Sequence, residues 1–458
     1  MRILLLNPIN RTYVIMPSLG LGYLAAVLRK QGHVVTVLNC VKERLTHEAF
    51  SVLLQTEQYD VIGFQVFTYD LNPVKRHLEI VKQVSPATVT IAGGPHPSGD
   101  PERTLAYLEK LDFAFQGEAE IGLPLLLENL CGRERNLACI PGLVWRNNGT
   151  ILANPPCFVE DLDTIPLPAW DLLRPENYPE APHGAFTKGF PTSPIIITRG
   201  CASGCTFCAG SRINGYRIRR RSLGNVLAEL RHLAERGIRE FHIEDENFTE
   251  SSEFVLEFCQ RLSEEHLGMS WSLPSGVRLD NLTREMLTAM AKAGCYSLAV
   301  GIEFGSDRLL RMTGKGLTLE MIRERVKLFD GLGIKLTGFF MFGIPGETRE
   351  EMADTVRLAL ELPLDRAQFN NFMPLPGSLE WEKLSKAGRL NAVDWDRFFV
   401  HDVPYTDGVV SAKELKWIQR NALIRFYFRP RIMIGVIREI RSFRHMMYLV
   451  KRFADALT

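Results

Sequence analysis

The sequence lacks several features that would each indicate a particular class of protein. The chain of 458 residues has no uninterrupted apolar run of about 18 residues, so no transmembrane helix is expected. The N-terminal stretch MRILLLNPIN is too short for the apolar core and cleavage site of a secretory signal peptide. A formal net charge of +1 provides no whole-chain field for nucleic acid. We therefore expect a cytoplasmic protein, and 46% hydrophobic with 23% charged residues is a globular composition.

Cysteine is also scarce, and its distribution is uneven. Three of the nine cysteines, Cys201, Cys205 and Cys208, lie within the eight residues CASGCTFC. The other six are scattered through apolar or helical contexts. An odd number of cysteines without a signal peptide indicates a reducing compartment. There, clustered cysteines indicate metal or redox chemistry rather than structural disulfides.

The chain alternates strand and helix patterns in two separate stretches. Residues 1–135 predict a doubly wound parallel sheet, and residues 193–380 predict six strand–helix units, as in a partial (β/α)6 barrel of the TIM type. Residues 136–192 are rich in proline and predict a connector with one hairpin at Asn148–Gly149. Residues 381–458 predict a helical C-terminal region. The fold class is α/β, with ligands expected at the carboxyl ends of the strands.

The presence of three cysteines in one loop indicates which kind of metal centre is expected. A structural zinc site needs four ligands, usually as two separated pairs, and no second pair stands at that spacing. An iron–sulfur cube has four corners, so three cysteines leave one iron open to bind a small molecule. Gly204 and Gly210 allow the loop to wrap around a cluster, and Phe207 is placed to shield it.

CASGCTFC, after a buried strand, resembles the CxxxCxΦC motif of the radical S-adenosylmethionine (SAM) superfamily, in which Φ is aromatic. The resemblance extends in motif order from Ser193 to Leu379, about 180 residues. It implies that Cys201, Cys205 and Cys208 are catalytic residues that hold a [4Fe-4S] cluster, with Phe207 near the adenine of SAM. One electron, delivered by a flavodoxin- or ferredoxin-type partner, would cleave SAM to a 5′-deoxyadenosyl radical.

The same resemblance implies further cofactor-binding residues at the strand ends. They are Glu244 and Asp245 in HIEDENFT, Ser275 and Arg278 in PSGVR, Glu303 in GIEFGS, and Gly343 in GFFMFGIPGET. Arg278 would pair with the SAM carboxylate, Glu303 would bond the ribose hydroxyls, and the strand of Gly343 would offer backbone to adenine. The residues alone leave alternatives: a solvated acidic strand end, a helix cap at Glu303, and a structural ion pair at Arg278.

The first stretch is similar to the N-terminal domain of cobalamin-binding radical SAM enzymes. The segments PSLGLGYLAAVLRKQGH, VIGFQVFT, IAGGPHPS and FQGEAE carry this similarity. It implies a Rossmann-like sheet that presents a corrin ring to the barrel, with Gly93, Gly94 and His96 as candidate cofactor-binding residues. The DxHxxG motif, whose histidine ligates cobalt in many cobalamin proteins, is absent. Cobalamin therefore depends on the domain resemblance, and His33 is interpreted as structural.

These resemblances predict a class B methylase. Methylcobalamin would give its methyl group to an unactivated carbon of a small-molecule substrate, a natural product or a lipid. The alternative is a cobalamin-independent rearrangement, ring formation or dehydration in the same barrel. A non-enzymatic iron–sulfur protein is disfavoured by the open cluster corner and the complete barrel.

Two basic segments of the sequence each have more than one interpretation. The run Arg217–Arg221 either receives an anionic substrate or begins a solvated helix face, and we favour the helix face. From Lys413 onward, 11 basic and 3 acidic residues give a net charge of 11 − 3 = +8. This tail predicts an amphipathic packing helix, a lid over the site, or peripheral contact with an anionic membrane.

Overall fold

The computed structural model describes residues 1–10, 12, 15–132, 136–179, 187–390, 393–399, 402–440 and 443–457. It contains two large sheets, of seven and six strands, with helices packed against them. This confirms the predicted α/β class. Residues 180–186 of the predicted connector lie outside the described part of the chain.

The first sheet has the order β2-β1-β3-β4-β5-β6-β7, and its first five strands are parallel. Its elements are β1 (Arg2–Asn7), α1 (Leu19–Lys30), β2 (Val34–Asn39), α2 (His47–Thr56), β3 (Val61–Gln65), α3 (Leu71–Val84), β4 (Val89–Gly93), α4 (Pro95–Gly99), α5 (Pro101–Tyr107), β5 (Phe113–Phe115), α6 (Gly122–Cys131), β6 (Leu143–Asn147) and β7 (Thr150–Ala153). The strand order reverses between β1 and β3. Such a switch point opens a crevice at the carboxyl ends of the strands.

One local prediction for this part needs correction. The hairpin assigned to the connector belongs to the first sheet, because β6 pairs antiparallel with β5 and places Val144 opposite Ala114. After β4, Pro95–Gly99 forms one helical turn with proline in its first turn.

The second sheet contains six parallel strands in the order β8-β11-β12-β13-β14-β15. Its elements, with the short pair β9 and β10 and the preceding helix, are α7 (Trp170–Leu173), β8 (Thr192–Ile195), β9 (Thr198–Arg199), α8 (Gly210–Asn214), β10 (Arg219–Arg220), α9 (Leu223–Glu235), β11 (Glu240–Ile243), α10 (Ser252–Glu264), β12 (Ser270–Val277), α11 (Arg284–Lys292), β13 (Cys295–Glu303), α12 (Asp307–Met312), α13 (Leu319–Val326), β14 (Lys335–Phe342), α14 (Arg349–Glu361) and β15 (Arg366–Asn371). The six strands lie side by side in chain order, with β8 and β15 at the two edges. This arrangement confirms the open, partial barrel.

The two sheets dock through backbone and buried charge. A Cβ added to Gly99 would lie 2.1 Å from the carbonyl oxygen of Pro376, in the segment after β15. Arg219 forms two 2.8 Å bonds to the Glu118 carboxylate, across the boundary between the sheets. Arg199 lies 2.8 Å from Glu120. Because these side chains are almost fully buried, separating the two parts would leave charges without partners.

The favoured interpretation of the basic run is therefore wrong. Arg219 and Arg221 are each only 4% exposed, and Arg221 is paired with the buried Glu229. Arg217 and Arg220 form surface ion pairs with Glu160 and Glu250. The run closes a buried interface and does not begin a solvated helix face.

The C-terminal region follows the barrel as α15 (Leu379–Lys386), α16 (Ala412–Tyr427), α17 (Pro430–Glu439) and α18 (Phe443–Leu457). Gln419 of α16 bonds both Asn371 and the carbonyl of Phe369, which fixes this helix to β15. Among the described residues, seventeen large apolar side chains are exposed, and nine of these lie between Trp417 and Val450. No helix in the described part is both long and apolar enough to cross a membrane.

Candidate functional site

The three-cysteine loop is held at both ends by the barrel. β9 precedes the loop and pairs antiparallel with β10, which follows it, so that Arg199 stands opposite Arg219. The Cys201 N–H donates to the carbonyl of Gly215 at 3.0 Å, and the Thr206 N–H donates to Thr313 at 2.9 Å. These bonds fix the loop's backbone at the carboxyl end of the sheet, where barrel sites are expected.

Two cations flank the middle thiol. Arg278 Nη1 lies 4.0 Å from Cys205 Sγ and 3.1 Å from Ser203 Oγ. Burial raises the pKa of Cys205, while the charges of Lys315 and Arg278 act in the opposite direction. Lower pKa values favour the thiolate, which is the form that binds metal. The loop therefore carries local compensation for the negative charge of a thiolate.

The donor set of the loop fits an iron–sulfur cluster. All three thiols are free of disulfides, and the Gly210 N–H lies 3.3 Å from Cys208 Sγ as a hydrogen-bond donor. Nothing lies within 4 Å of the position of a Cβ on Gly204, so the loop has open space beside it. In an iron–sulfur cube each thiolate ligates a separate iron, so the three cysteines supply ligands for three of the four corners.

Glu303 forms a buried ion pair and does not cap the following helix. Its Oε1 lies 2.8 Å from Lys315 Nζ, and both side chains are about nine-tenths buried. Ser306 caps the next helix instead, through the Leu309 N–H. The Glu303 backbone has φ of 68°, a strained conformation for a residue with a side chain. Ribose binding by Glu303 stays a prediction.

The strand ends β11 and β12 bring two predicted residues together and separate a third. Ser275 Oγ donates a hydrogen bond to the Glu244 carboxylate. Asp245 faces away, because its two oxygens accept from the N–H groups of Ile197 at 2.8 Å and Thr198 at 2.7 Å. Burial raises the Asp245 pKa to about 8. Asp245 therefore connects the end of β11 to the start of β9, and its role as a cofactor contact stays a prediction.

The remaining barrel candidates have defined surroundings. Arg278 forms a two-bond ion pair with Asp280 and donates to the carbonyl of Lys315 at 2.8 Å, so the structural-pair alternative describes its contacts. Phe207 packs edge-on against Phe304, with ring centroids 6.3 Å apart. The Gly343 N–H donates to Glu347 at 2.6 Å, so this donor is already engaged.

A cavity lies between the first sheet and the barrel. It encloses about 1110 Å³, including space open to solvent. Apolar side chains of β1, β3, β4, α1 and α6 form most of its wall, and Gly93 and Gly94 line it at the end of β4. Asn214 and Glu246 line it from the barrel side. Gly93 and Gly94 therefore line this cavity, and cofactor binding by them stays a prediction.

His96 does not share this position. It is 1% exposed, and its Nδ1 lies 3.1 Å from Thr68 Oγ1. Its ring packs edge-on against Trp395, with centroids 5.1 Å apart. Burial lowers the pKa of His96 to about 3. The structure therefore places His96 in the core, and cofactor binding by His96 stays a prediction.

Sequence reasoning missed several charged residues of the site. Glu246 accepts from the Gly200 N–H at 3.3 Å and from the Asn214 side chain, which connects the cavity to both ends of the cysteine loop. Arg199 and Glu118 also line the cavity. Lys315 lies between two glycines in TGKG, a turn signal that marks a close backbone approach.

The fold and site together define a class of protein: a partial parallel barrel with a three-cysteine loop, preceded by a doubly wound domain. A family model described as the radical SAM superfamily matches residues 195–359, and one described as a B12 binding domain matches residues 9–127.

Similar proteins cover nearly the whole chain. An uncharacterised methyltransferase of Pyrococcus horikoshii is 30% identical over 438 residues, covering 95% of this chain and 92% of the relative. The cytidylyl-2-hydroxyethylphosphonate methyltransferase of Streptomyces wedmorensis is 30% identical, with 87% and 82% covered.

Solved structures share the fold. The cobalamin-dependent SAM radical enzyme OxsB has a TM-score of 0.75 at 18% identity, covering 98% of this chain and 70% of that one. The methyltransferase TsrM of Kitasatospora setae, with cobalamin and a [4Fe-4S] cluster bound, has a TM-score of 0.70 at 20% identity, with 84% and 78% covered. The chain belongs to the radical SAM superfamily and carries a B12-binding domain before the barrel, which confirms the resemblance found in the sequence.

Proposed function

We propose that the protein is a cobalamin-dependent radical SAM methyltransferase that methylates an unactivated carbon of a small molecule. One observation carries the proposal. The cavity under the first sheet shares Asn214 and Glu246 with the surroundings of the three-cysteine loop. Two cofactors bound at these places would therefore be neighbours. The names of two relatives as methyltransferases support methyl transfer as the outcome.

Different residues would bind the two cofactors, one at the cysteine loop and the other in the cavity. Cys201, Cys205 and Cys208 would hold a [4Fe-4S] cluster and leave one iron for SAM. The apolar wall and the glycine edge at Gly93 and Gly94 suit a large, flat cofactor that must approach the backbone closely. Bound cobalamin would supply a cobalt-carried methyl group, and SAM at the cluster would supply the radical.

The experiment is anaerobic reconstitution of the whole chain with iron, sulfide and hydroxocobalamin, followed by SAM and dithionite. We expect 5′-deoxyadenosine or S-adenosylhomocysteine, together with a retained corrinoid absorption spectrum after gel filtration. Cys201→Ala, Cys205→Ala and Cys208→Ala should each abolish SAM cleavage, since the cluster loses a ligand. Cys131→Ala, at an exposed cysteine outside the loop, is the matched control and should retain cleavage.

Each part of the proposal has its own contradicting result. SAM cleavage that survives in the loop variants would exclude the cluster assignment. A reconstituted chain that cleaves SAM but loses all corrinoid would exclude the cobalamin-dependent reaction and favour a rearrangement, ring formation or dehydration.

The proposed function includes two partners of the protein, an electron donor and a membrane surface. A flavodoxin- or ferredoxin-type protein would deliver the electron that SAM cleavage requires. The C-terminal helices would make peripheral contact with an anionic membrane. Each of the last two helices has an exposed apolar stripe, formed by Phe443, Met447 and Val450 on α18 and by Ile434 and Ile437 on α17, and these stripes support the contact. The net charge of +8 in this tail disfavours a second copy of the same surface and suits anionic lipid.

A further inference from the structure

The turn Thr313–Gly316 packs against the backbone of the three-cysteine loop. The Thr313 carbonyl accepts from the Thr206 N–H at 2.9 Å. A Cβ on Gly314, which has φ of 65°, would lie 2.8 Å from the Gly204 carbonyl oxygen. The turn and the loop are therefore in direct backbone contact, and a residue carried by the turn stays in fixed relation to the thiols.

Lys315 is carried by this turn, and its charge is buried. Its ammonium group pairs with Glu303 at 2.8 Å, and the pair lies directly over Gly301. A Cβ on Gly301 would lie 2.4 Å from both Lys315 Nζ and Glu303 Oε1. Because residue 301 is a glycine, the ion pair has room beside its backbone. Glu303, which contributes the carboxylate, has a strained backbone conformation.

A second connection links Lys315 to the thiols. Its backbone carbonyl accepts from Arg278 Nη2 at 2.8 Å, and Nη1 of the same guanidinium lies 4.0 Å from Cys205 Sγ. A buried ion pair is expensive to form and is weak evidence for stability alone. Its position under a predicted cluster loop gives it a use, because the charge of the surroundings sets the reduction potential of such clusters.

We propose that the Lys315–Glu303 pair is a positioning element that sets the reduction potential of the cluster, with Lys315 offsetting the Glu303 charge. Reduction adds one electron to the cluster, so an unpaired negative charge nearby disfavours the reduced form. The inference rests on the proposed function in one respect, since both require a cluster on Cys201, Cys205 and Cys208.

The test is a redox titration of the reconstituted chain at pH 8, followed by electron paramagnetic resonance, with iron content measured on every sample. Lys315→Met leaves Glu303 unpaired, and its midpoint potential should shift to more negative values. The double variant Lys315→Met/Glu303→Gln removes both charges and should return most of the way to the wild-type potential. Lys315→Arg keeps the charge and should remain close to wild type.

Lys335→Met is the matched control. Lys335 also pairs with a carboxylate, Asp365, but at the amino end of β14, away from the loop. The midpoint potential of the Lys335→Met variant should equal that of the wild type. Two results would overturn the inference. One is a Lys315→Met variant with the cluster content of the wild type and no negative shift of its midpoint potential. The other is a double variant whose midpoint potential is shifted as far as that of Lys315→Met. A wild-type chain that binds no cluster would instead overturn the proposed function.

Discussion

At Glu303 a residue with a side chain adopts φ of 68°, a conformation that costs on the order of 1–3 kcal/mol. The strain brings the carboxylate onto Lys315, twelve residues further along the chain. Sequence reasoning found Glu303 from its place at a strand end but assigned it no protein partner. The partner depends on a turn folding back under the cysteine loop, and no local pattern specifies that contact.

His96 gives a prediction for pH dependence. Its pKa is lowered from 6.5 to about 3 by burial, so below pH 6.5 the unfolded chain binds the proton more readily. The stabilising contribution of neutral His96 is complete above pH 6.5 and is lost as pH falls towards 3. For a single group the free energy of unfolding changes by about 1.4 kcal/mol per pH unit in that window.

His96→Gln should therefore show a shallower loss of unfolding free energy than wild type between pH 6.5 and 4.5, measured by urea denaturation. His77, whose pKa is lowered to about 4, keeps some dependence in the variant. His232→Gln, at an exposed histidine of α9, should retain the wild-type slope. An equal slope in His96→Gln and wild type would refute the assignment.

At the scale of single elements, the end of β11 shows why adjacent residues have different roles. Asp245 turns towards the N–H groups of Ile197 and Thr198, and Glu246 turns towards the cavity. The sequence predicts a cofactor contact for Asp245 and none for Glu246, whereas Glu246 is the residue that lines the cavity. Choosing between them required the position of β9, which is almost 50 residues away in the chain.

The contact between α4 and the segment after β15 gives a prediction at this scale. Gly99→Ala would place a methyl group 2.1 Å from the Pro376 carbonyl oxygen, and Gly377 packs against the same point. Backbone on both sides cannot move away cheaply, so overpacking should cost about 1–3 kcal/mol.

Thermal unfolding measures this cost as a lower midpoint for Gly99→Ala. Gly224→Ala, in α9 with only an ordinary contact at 3.9 Å, should be neutral or slightly stabilising, since alanine favours helix. A Gly99→Ala midpoint equal to that of Gly224→Ala would show that the two segments are not packed as described.

At the scale of the whole molecule, the two sheets meet through charges that neither could bury alone. Glu118 belongs to the first part of the chain, and Arg199 and Arg219 flank the cysteine loop. The positive charges and hydrogen bonds of these arginines outweigh burial and lower the pKa of Glu118. This network connects the wall of the cavity to the residues that flank the cysteine loop.

The exposed stripe of α17 and α18 predicts binding to anionic vesicles. The whole chain should co-sediment with vesicles containing phosphatidylglycerol and much less with pure phosphatidylcholine, and added salt should weaken the binding. Ile434→Glu/Ile437→Glu should reduce the bound fraction several-fold, because it places charge on the apolar stripe.

Val52→Glu, at an exposed apolar residue of α2, is the matched control and should bind as wild type does. Equal binding of neutral and anionic vesicles would contradict the charge argument. A shift in oligomeric state on Ile434→Glu/Ile437→Glu, without loss of vesicle binding, would assign the stripe to a second copy of the chain.

The sequence by itself determined the cysteine loop, the two strand–helix stretches and the strand ends that carry polar residues. These features are local: spacing of thiols, alternation of apolar residues, and the last residues of each strand. Only the tertiary structure decided which neighbour faces the cavity, which arginines are buried, and that the turn of Lys315 packs against the cysteine loop. The physical reason is that each of these depends on contacts between residues far apart in the chain. The direction and burial of a charged side chain follow from what packs against it.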